Sequence, residues 1–101
     1  MMRMTDKQRI CATTILRKYF GADSTIRLFG SRADDSKRGG DYDFFVETDV
    51  EDVLEARNLA QTELFLSMEF LEQRVDIVVK SRQSEYQLPI YRIAIQEGVV
   101  L

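Results

Sequence analysis

Apolar residues recur at helical spacing near the start of the chain. The positions concerned are Ile10, Cys11, Ile15 and Tyr19. Thr5-x-x-Gln8 before them has the form of a capping box, in which each residue satisfies a backbone N–H at the helix start. Gly21 after them is a typical C-terminal stop. The pattern predicts a first helix over residues 6–20.

Three shorter apolar runs predict β-strands. They are Thr25 to Phe29, Tyr42 to Glu47 and Arg74 to Lys80. The second run has a near-continuous apolar centre, which is typical of a strand with both faces covered. We assign Phe44, Phe45, Val78 and Val79 to the core, because large apolar side chains at strand centres are usually buried.

Two further helices are predicted between and after these strands. Thr48-x-x-Glu51 resembles the cap of a long second helix. Its predicted apolar stripe is Val50, Val53, Leu54, Leu64, Phe65, Met68 and Leu71. Pro89 fits the first turn of a closing helix, since its missing N–H is unpaired there in any case. The predicted buried face of that helix is Ile90, Ile93 and Ala94, before Gly98.

The predicted element order is α-β-β-α-β-α, an α+β (mixed α/β) fold with a three-stranded mixed sheet flanked by helices. If the Gly30-Ser31 turn lies beside Asp41 and Asp43, the first two strands are antiparallel. A helix joins the second and third strands, so a right-handed crossover makes them parallel. Asp76 then lies at the same sheet edge as Asp41 and Asp43, and the three acids converge.

The convergence of Asp41, Asp43 and Asp76 predicts a metal site with catalytic carboxylates. Asp41 and Asp43 are two residues apart and share one face of a strand. Carboxylates placed close together repel unless a cation lies between them, and magnesium prefers oxygen ligands. Two Mg²⁺ ions bridged by such acids would orient a nucleoside triphosphate and favour departure of pyrophosphate.

The turn Gly30-Ser31-Arg32 predicts a nucleotide-binding cradle beside these acids. Glycine lets the backbone approach a phosphate, and Ser31 offers a hydroxyl and a helix-start amide. Lys37 or Arg38 in the following loop would add positive charge. Each motif alone has a plainer interpretation, a tight turn for Gly-Ser-Arg and a solvated loop for Asp-x-Asp. Their combination with a third Asp favours the site.

Composition restricts the chemistry further. The chain has 101 residues, 45% of them hydrophobic and 31% charged, which is ordinary for one globular domain over residues 1–101. Cys11 is the only cysteine and there is no histidine, which excludes an internal disulfide, the usual zinc ligands and a His-based triad. No apolar run is long enough for a membrane span or a signal core, so the expected location is cytoplasmic, with no membrane partner.

Charge is distributed unevenly along the chain, whose net charge is -3. Residues 1–20 carry five basic side chains against Asp6, whereas residues 41–72 carry ten acidic ones against Arg57. This polarity disfavours direct nucleic-acid binding across the middle. It favours cation recruitment or a basic protein partner, while the plainer alternative is that these acids lie on solvated helix faces.

Taken together, these residues resemble the minimal nucleotidyltransferase (MNT) family of the DNA polymerase beta superfamily. Its pattern is Gly-Ser, a short loop, Asp-x-Asp and a distant third carboxylate. Leu28 to Glu47 carries the motif, Arg74 to Val79 matches the third-carboxylate strand, and Ile93 to Leu101 is similar to the family's closing helix. This chain has a gap one residue shorter than usual, and Gly40 stands where many members have Ser.

The resemblance implies a palm-like fold and transfer of AMP from ATP to a hydroxyl. Asp41 and Asp43 would carry the metals, and Asp76 would complete the site and accept the acceptor's proton. Family members of this size resemble antitoxins that modify a tyrosine of a HEPN-domain toxin, and the short chain leaves little room for a small-molecule pocket. The leading hypothesis is therefore a protein adenylyltransferase acting as antitoxin in a toxin-antitoxin system.

Two alternatives remain open. One is a catalytically silent MNT-fold antitoxin that neutralises its partner by binding. The other is a small-molecule nucleotidyltransferase that needs a second subunit. The sequence does not decide whether the chain also forms a homo-oligomer.

Overall fold

The chain folds into a mixed sheet with helices on both faces, as the predicted α+β class requires. The structure is a computed structural model and describes residues 4–33 and 40–101. The elements in chain order are α1 (Asp6–Phe20), β1 (Thr25–Phe29), a 3-10 turn (Gly30–Ala33), β2 (Tyr42–Thr48), α2 (Val53–Leu66), β3 (Val75–Ser81), α3 (Pro89–Glu97) and β4 (Val99–Val100).

The described strands are ordered β3-β2-β1-β4. β2 runs antiparallel to β1 and parallel to β3, which confirms the predicted pairing of these three strands, but the sheet has a fourth strand, β4, that the predicted three-stranded sheet lacks. The register places Asp43 opposite Phe29 on one side and opposite Asp76 on the other. Paired residues of adjacent strands point to the same face, so these three side chains form a row across the sheet.

Two apolar clusters hold the layers together. On one face, α1 and α2 pack against a cluster that includes the fully buried Phe44 and Phe70. On the other face, Phe45 and Phe29 pack against Ala94 of α3. The core assignment is confirmed for Phe44 and Phe45. Val78 and Val79, which lie on opposite faces of β3, are only partly buried, because β3 is an edge strand.

The predicted capping box of α1 is present. The Thr5 hydroxyl accepts a hydrogen bond from the Gln8 N–H at 3.0 Å, and the Gln8 carboxamide oxygen accepts one from the Thr5 N–H at 3.0 Å. Gly21 ends the helix with φ +104° and donates its N–H to the Arg17 carbonyl. Within the described residues, no helix combines the length and apolar character of a membrane span.

The predicted start of α2 is wrong. β2 continues through Thr48, whose hydroxyl donates to the Phe20 carbonyl at 2.6 Å and so is used to join β2 to the end of α1. Asp52 caps the helix instead, with its carboxylate accepting from the Glu55 N–H at 3.0 Å. Because the Thr48 side chain bonds to a distant residue, the helix is capped four residues later than predicted, at Asp52.

The predicted apolar stripe of α2 is also wrong over most of its length. The buried residues of α2 are Ala56, Ala60 and Leu64. Small alanines allow α2 to approach its neighbours closely, and this fixes the rotation of the helix. Phe65 is consequently 50% exposed, and Met68, which lies beyond the helix end, is 93% exposed. Leu54 and Leu71 are exposed as well.

The predicted closing helix is present, with Pro89 in its first turn and Gly98 just after its last residue, but the chain beyond Gly98 forms a strand in place of the helix that the family resemblance implied. α3 stops at Glu97, and Val99–Val100 form β4, which pairs antiparallel with β1 opposite Leu28 and Arg27. The buried face of α3 is formed by Ala94 with the partly buried Tyr91, whereas Ile90 and Ile93 are exposed. Strand pairing with β1 gives residues 99 and 100 backbone hydrogen bonds that a helix end does not offer.

Side chains close the outer edge of β3. Its outward-facing carbonyls at residues 75, 77 and 79 accept hydrogen bonds from Gln61 (3.0 Å), Arg57 (2.8 Å) and the Tyr91 hydroxyl (3.4 Å). A free strand edge is otherwise a template for pairing with another chain. The contacts also fix α2 and α3 along the strand that carries Asp76.

Candidate active site

The strand register brings the predicted acidic residues to one end of the sheet. Asp43 lies in the central part of the sheet and is partly buried, Asp76 is its exposed neighbour on β3, and Asp41 immediately precedes β2. The face that carries Asp43 and Asp76 is the one that α3 covers further along. The predicted convergence at this edge therefore holds for Asp43 and Asp76, with Asp41 two residues away along the backbone.

The acids influence one another electrostatically. Partial burial, followed by repulsion from the Asp76 and Asp41 carboxylates, raises the pKa of Asp43 from 3.8 to about 6. Burial and nearby like charges both disfavour the ionised form of a carboxyl group. A neighbouring cation would therefore stabilise the ionised form of Asp43.

The donor set fits magnesium. Within residues 4–33 and 40–101, no group of three or more potential ligand side chains forms a ready cluster for a metal ion. Magnesium commonly takes one or two carboxylates and fills its other positions with water and phosphate. Asp43 and Asp76 supply two carboxylates on neighbouring strands, and burial together with repulsion raises the pKa of Asp43, both of which a bound cation would offset.

Gly30 lies directly against the Asp43 carboxylate. It has φ +75°, and a Cβ built on it would lie 2.4 Å from Asp43 Oδ2. Only glycine combines this positive φ with the absence of a side chain. The predicted reason for a glycine here was close approach to a phosphate. In the structure, the missing side chain of Gly30 also leaves the space that the Asp43 carboxylate occupies.

Gly40 has a similar relation to Ser31. Its φ is +94°, and an added Cβ would lie 1.8 Å from Ser31 Oγ. The Arg32 Nε–H donates to the Gly40 carbonyl at 3.2 Å, so residues 32 and 40 lie in contact here. Gly40 therefore leaves the space that the Ser31 side chain occupies. Lys37 and Arg38, predicted to add positive charge, lie outside the described residues.

Replacing Gly40 by Ala is expected to lower the free energy of unfolding by about 1–2 kcal/mol, the cost of a left-handed backbone for a residue with a Cβ. The added methyl group also has to displace Ser31 Oγ. The same variant should weaken the binding of a fluorescent ATP analogue with Mg²⁺. Chemical denaturation and fluorescence anisotropy measure the two effects. Unchanged nucleotide affinity would contradict a binding role for Ser31.

Arg32 is held by an aromatic ring as well as by the loop. Its guanidinium carbon lies 4.5 Å from the centroid of the Tyr42 ring. Tyr42 points away from Asp41 and Asp43, as strand alternation predicts, and packs edge-on against Phe70 with centroids 5.1 Å apart. The predicted nucleotide-binding residue Arg32 is thus positioned through contacts to Tyr42 and Gly40.

Sequence reasoning missed two residues that support the site. The Gln8 carboxamide N–H donates to the Tyr42 hydroxyl at 3.0 Å and to the Glu69 carbonyl at 3.2 Å. Gln8 therefore ties the start of α1 to the segment that carries the acids and to the turn after α2. The only sequence signal at Gln8 is its place in a capping box, and the only signal at Tyr42 is its place in a predicted strand.

Metal-free wild-type protein is expected to lose stability as the pH rises from about 4 to about 6. The pKa of Asp43 is raised on folding, so the native state binds its proton more tightly than the unfolded state does. The stabilisation is full below pH 4 and is lost above pH 6. Asp43→Asn has no such carboxylate and should be the more stable protein at pH 7.

Because Asp43 is partly exposed, solvent screens the repulsion, and we expect a gain of about 1 kcal/mol for Asp43→Asn at pH 7. This corresponds to a melting temperature about 5 °C higher. Thermal melts of both proteins in EDTA between pH 4 and 7.5 measure it. A variant that melts well below wild type at pH 7 would instead show that this carboxylate stabilises the fold through hydrogen bonds.

The fold and the site together define a mixed α+β domain that presents carboxylates and a Gly-Ser turn at one sheet edge. The nucleotidyltransferase domain family matches residues 12–101 of this chain. The chain belongs to that family, whose general chemistry is nucleotidyl transfer and whose members generally use a nucleoside triphosphate with divalent metal ions. A comparison with curated proteins gives no match.

Proposed function

We propose that this nucleotidyltransferase moves AMP from ATP to a hydroxyl of a protein acceptor, as an MNT-type antitoxin does to a tyrosine of its HEPN toxin. The observation that carries the proposal is the pairing of Asp43 with Asp76 across adjacent strands beside Gly30 and Ser31. The MNT resemblance of the motif supports the choice of acceptor and of AMP.

The proposed roles follow from where each group lies. Asp41, Asp43 and Asp76 would hold magnesium, which when bound supplies charge neutralisation at the reacting phosphate and the leaving pyrophosphate. Gly30 admits the triphosphate to the edge of the sheet, and the Ser31 hydroxyl and backbone orient it. Arg32 would add positive charge near the turn, although the Tyr42 ring that its guanidinium contacts points away from Asp41 and Asp43.

Asp76 is the proposed proton acceptor. It is exposed at the edge of the sheet, whereas Asp43 is partly buried between β1 and β3. An incoming protein hydroxyl therefore reaches Asp76 first. Oxygen attack on the α-phosphorus forms the new ester bond, the bond to pyrophosphate breaks, and the hydroxyl proton passes to Asp76.

Intact-mass spectrometry of a candidate HEPN toxin tests the proposal after incubation with this protein, ATP and Mg²⁺. The expected result is added AMP on the toxin, and no added mass would refute protein modification. The silent-module alternative is tested by Asp41→Ala with Asp43→Ala in one chain. If that double variant still protects cells fully from the toxin, catalysis is dispensable.

A further inference from the structure

Exposed apolar residues cluster where α2 ends. Phe65 and Leu66 close the helix, and Met68 and Leu71 follow in the turn, all of them at least half exposed. Isolated apolar residues on a surface are ordinary, but several within seven positions form a patch of the kind that marks interaction sites. We call these four apolar side chains, together with the neighbouring Glu69 and Glu72, the α2 patch.

The α2 patch is continuous with the candidate active site. Phe65 and Leu66 line a shallow hollow on α2 together with Gln61. A second hollow of about 260 Å³ shares Gln61 and Phe65 and extends along residues 72–75 to Asp76. A molecule bound on the patch would therefore lie against the proposed proton acceptor.

The charge around the α2 patch is negative. Residues 54–76 carry five acidic side chains and two basic ones, Arg57 and Arg74, and one of the acids, Glu63, forms an ion pair with Lys18 of α1. Arg57 is engaged with the Ile77 carbonyl, and the last turn of α2 carries no basic residue to offset the negative end of the helix dipole. Among the described residues, Glu69 and Glu72 take part in no ion pair.

The neighbouring strand edge is already occupied. Gln61, Arg57 and Tyr91 hydrogen-bond to the outward carbonyls of β3, so an added strand would have to displace them. A helix needs no backbone partner and presents apolar side chains on one face. The surface at this edge thus suits a helix rather than an extended peptide.

We propose that the α2 patch docks a basic amphipathic helix of the acceptor protein, with its apolar face on Phe65, Leu66, Met68 and Leu71 and its lysine or arginine side chains towards Glu69 and Glu72. This inference rests on the proposed transfer to a protein. It adds the docking surface and the chemistry of the element that binds there, next to Asp76.

Two designed helices of about 18 residues serve as probes. Both carry the same leucine stripe, and the remaining positions are lysine in one and glutamate in the other. Fluorescence anisotropy is expected to show the lysine helix binding at least about tenfold more tightly. Equal affinity for the two helices would overturn the charge complementarity on which the proposal depends.

The location is tested with matched surface variants of the full chain. Phe65→Ser with Met68→Ser should weaken binding of the lysine helix at least about tenfold. Leu88→Ser with Ile93→Ser removes two exposed apolar side chains, one just before α3 and one on it (46% and 45% exposed), and should leave the affinity unchanged. An equal loss in both double variants, or a loss in the α3 variant alone, would place the binding elsewhere and overturn the proposal.

Charge reversal gives an independent readout. Glu69→Lys with Glu72→Lys should transfer the preference from the lysine helix to the glutamate helix, and an unchanged preference would overturn the proposed orientation. Sedimentation of the unmodified chain and of the Phe65→Ser, Met68→Ser variant tests a second copy as the occupant. A dimer that this variant converts to monomer would show that the patch pairs with itself.

The failure of docking and the failure of catalysis are distinguishable. The α2 patch variant should bind a fluorescent ATP analogue with Mg²⁺ as wild type does, and Asp43→Asn should bind the lysine helix as wild type does. Loss of helix binding by Asp43→Asn would overturn the separation of the two surfaces. If the wild-type chain binds the helix but no triphosphate, the docking surface is supported and the proposed nucleotidyl transfer is contradicted.

Discussion

Asp43→Asn is expected to lower nucleotidyl transfer by at least about 10²-fold, the scale seen when a group that positions or stabilises charge at a reacting centre is removed. Asp43 is the acid that the register places between β1 and Asp76. Asparagine keeps the shape of the side chain but loses the charge and one anionic oxygen ligand. Pyrophosphate release from ATP in the presence of the acceptor measures the effect.

The expected loss at Asp43 is one of chemistry and not of folding. The variant should be at least as stable as wild type in EDTA at pH 7, because the burial and the repulsion that raise the pKa of Asp43 no longer act on a charged side chain. Glu55→Gln, an exposed position on α2, removes the same charge away from the site and should retain full activity. Full transfer by Asp43→Asn would leave the acids without a catalytic role and favour the binding-module alternative.

Gly30→Ala is the second substitution with a large expected effect, again about 10²-fold on transfer, in line with the cost of a displacement of about 1 Å at a reacting centre. The new Cβ would overlap Asp43 Oδ2 at 2.4 Å, so the carboxylate has to move. The positive φ adds about 1–2 kcal/mol of destabilisation. Activity is measured as for Asp43→Asn, with denaturant unfolding beside it.

Gly21→Ala is the matched control for this substitution. Gly21 also has a positive φ, of 104°, but its added Cβ would meet only Asp23 Oδ1, at 3.2 Å, at the end of α1. The two variants should lose similar stability, while only Gly30→Ala loses transfer. Equal activity in the two would show that the contact between Gly30 and Asp43 does not govern the position of the carboxylate.

Local signals predicted the elements whose ends depend on neighbouring residues alone. The capping box at Thr5 and Gln8 and the stop at Gly21 gave the bounds of α1, because a cap is formed within a few residues of chain. The parallel pairing of β2 with β3 followed from the crossover rule, and the antiparallel pairing with β1 from the expected closeness of Gly30-Ser31 to Asp41 and Asp43. Together they predicted that Asp76 would lie at the same sheet edge as Asp43.

The same kind of signal failed where a distant partner competed for the residue. Thr48 had the sequence of a helix cap, but its hydroxyl bonds to Phe20, and Asp52 caps α2 instead. The stripe ending in Phe65 and Met68 had helical periodicity, yet contact through Ala56 and Ala60 turned it outwards. The side chains of that stripe that are exposed near the end of α2 belong to the α2 patch.

The sequence by itself determined the chemistry available to this protein: carboxylates at strand ends, a Gly-Ser turn beside them, and neither histidine nor a second cysteine. These follow from residue identity and short-range spacing. Only the tertiary structure decided that Gly30 lies against the Asp43 carboxylate and that Gly40 leaves room for the Ser31 side chain. It also decided that Gln8 hydrogen-bonds to Tyr42 and which face of α2 is exposed to solvent. Those relations join residues far apart in sequence, and they depend on how helices and strands pack, which local periodicity does not encode.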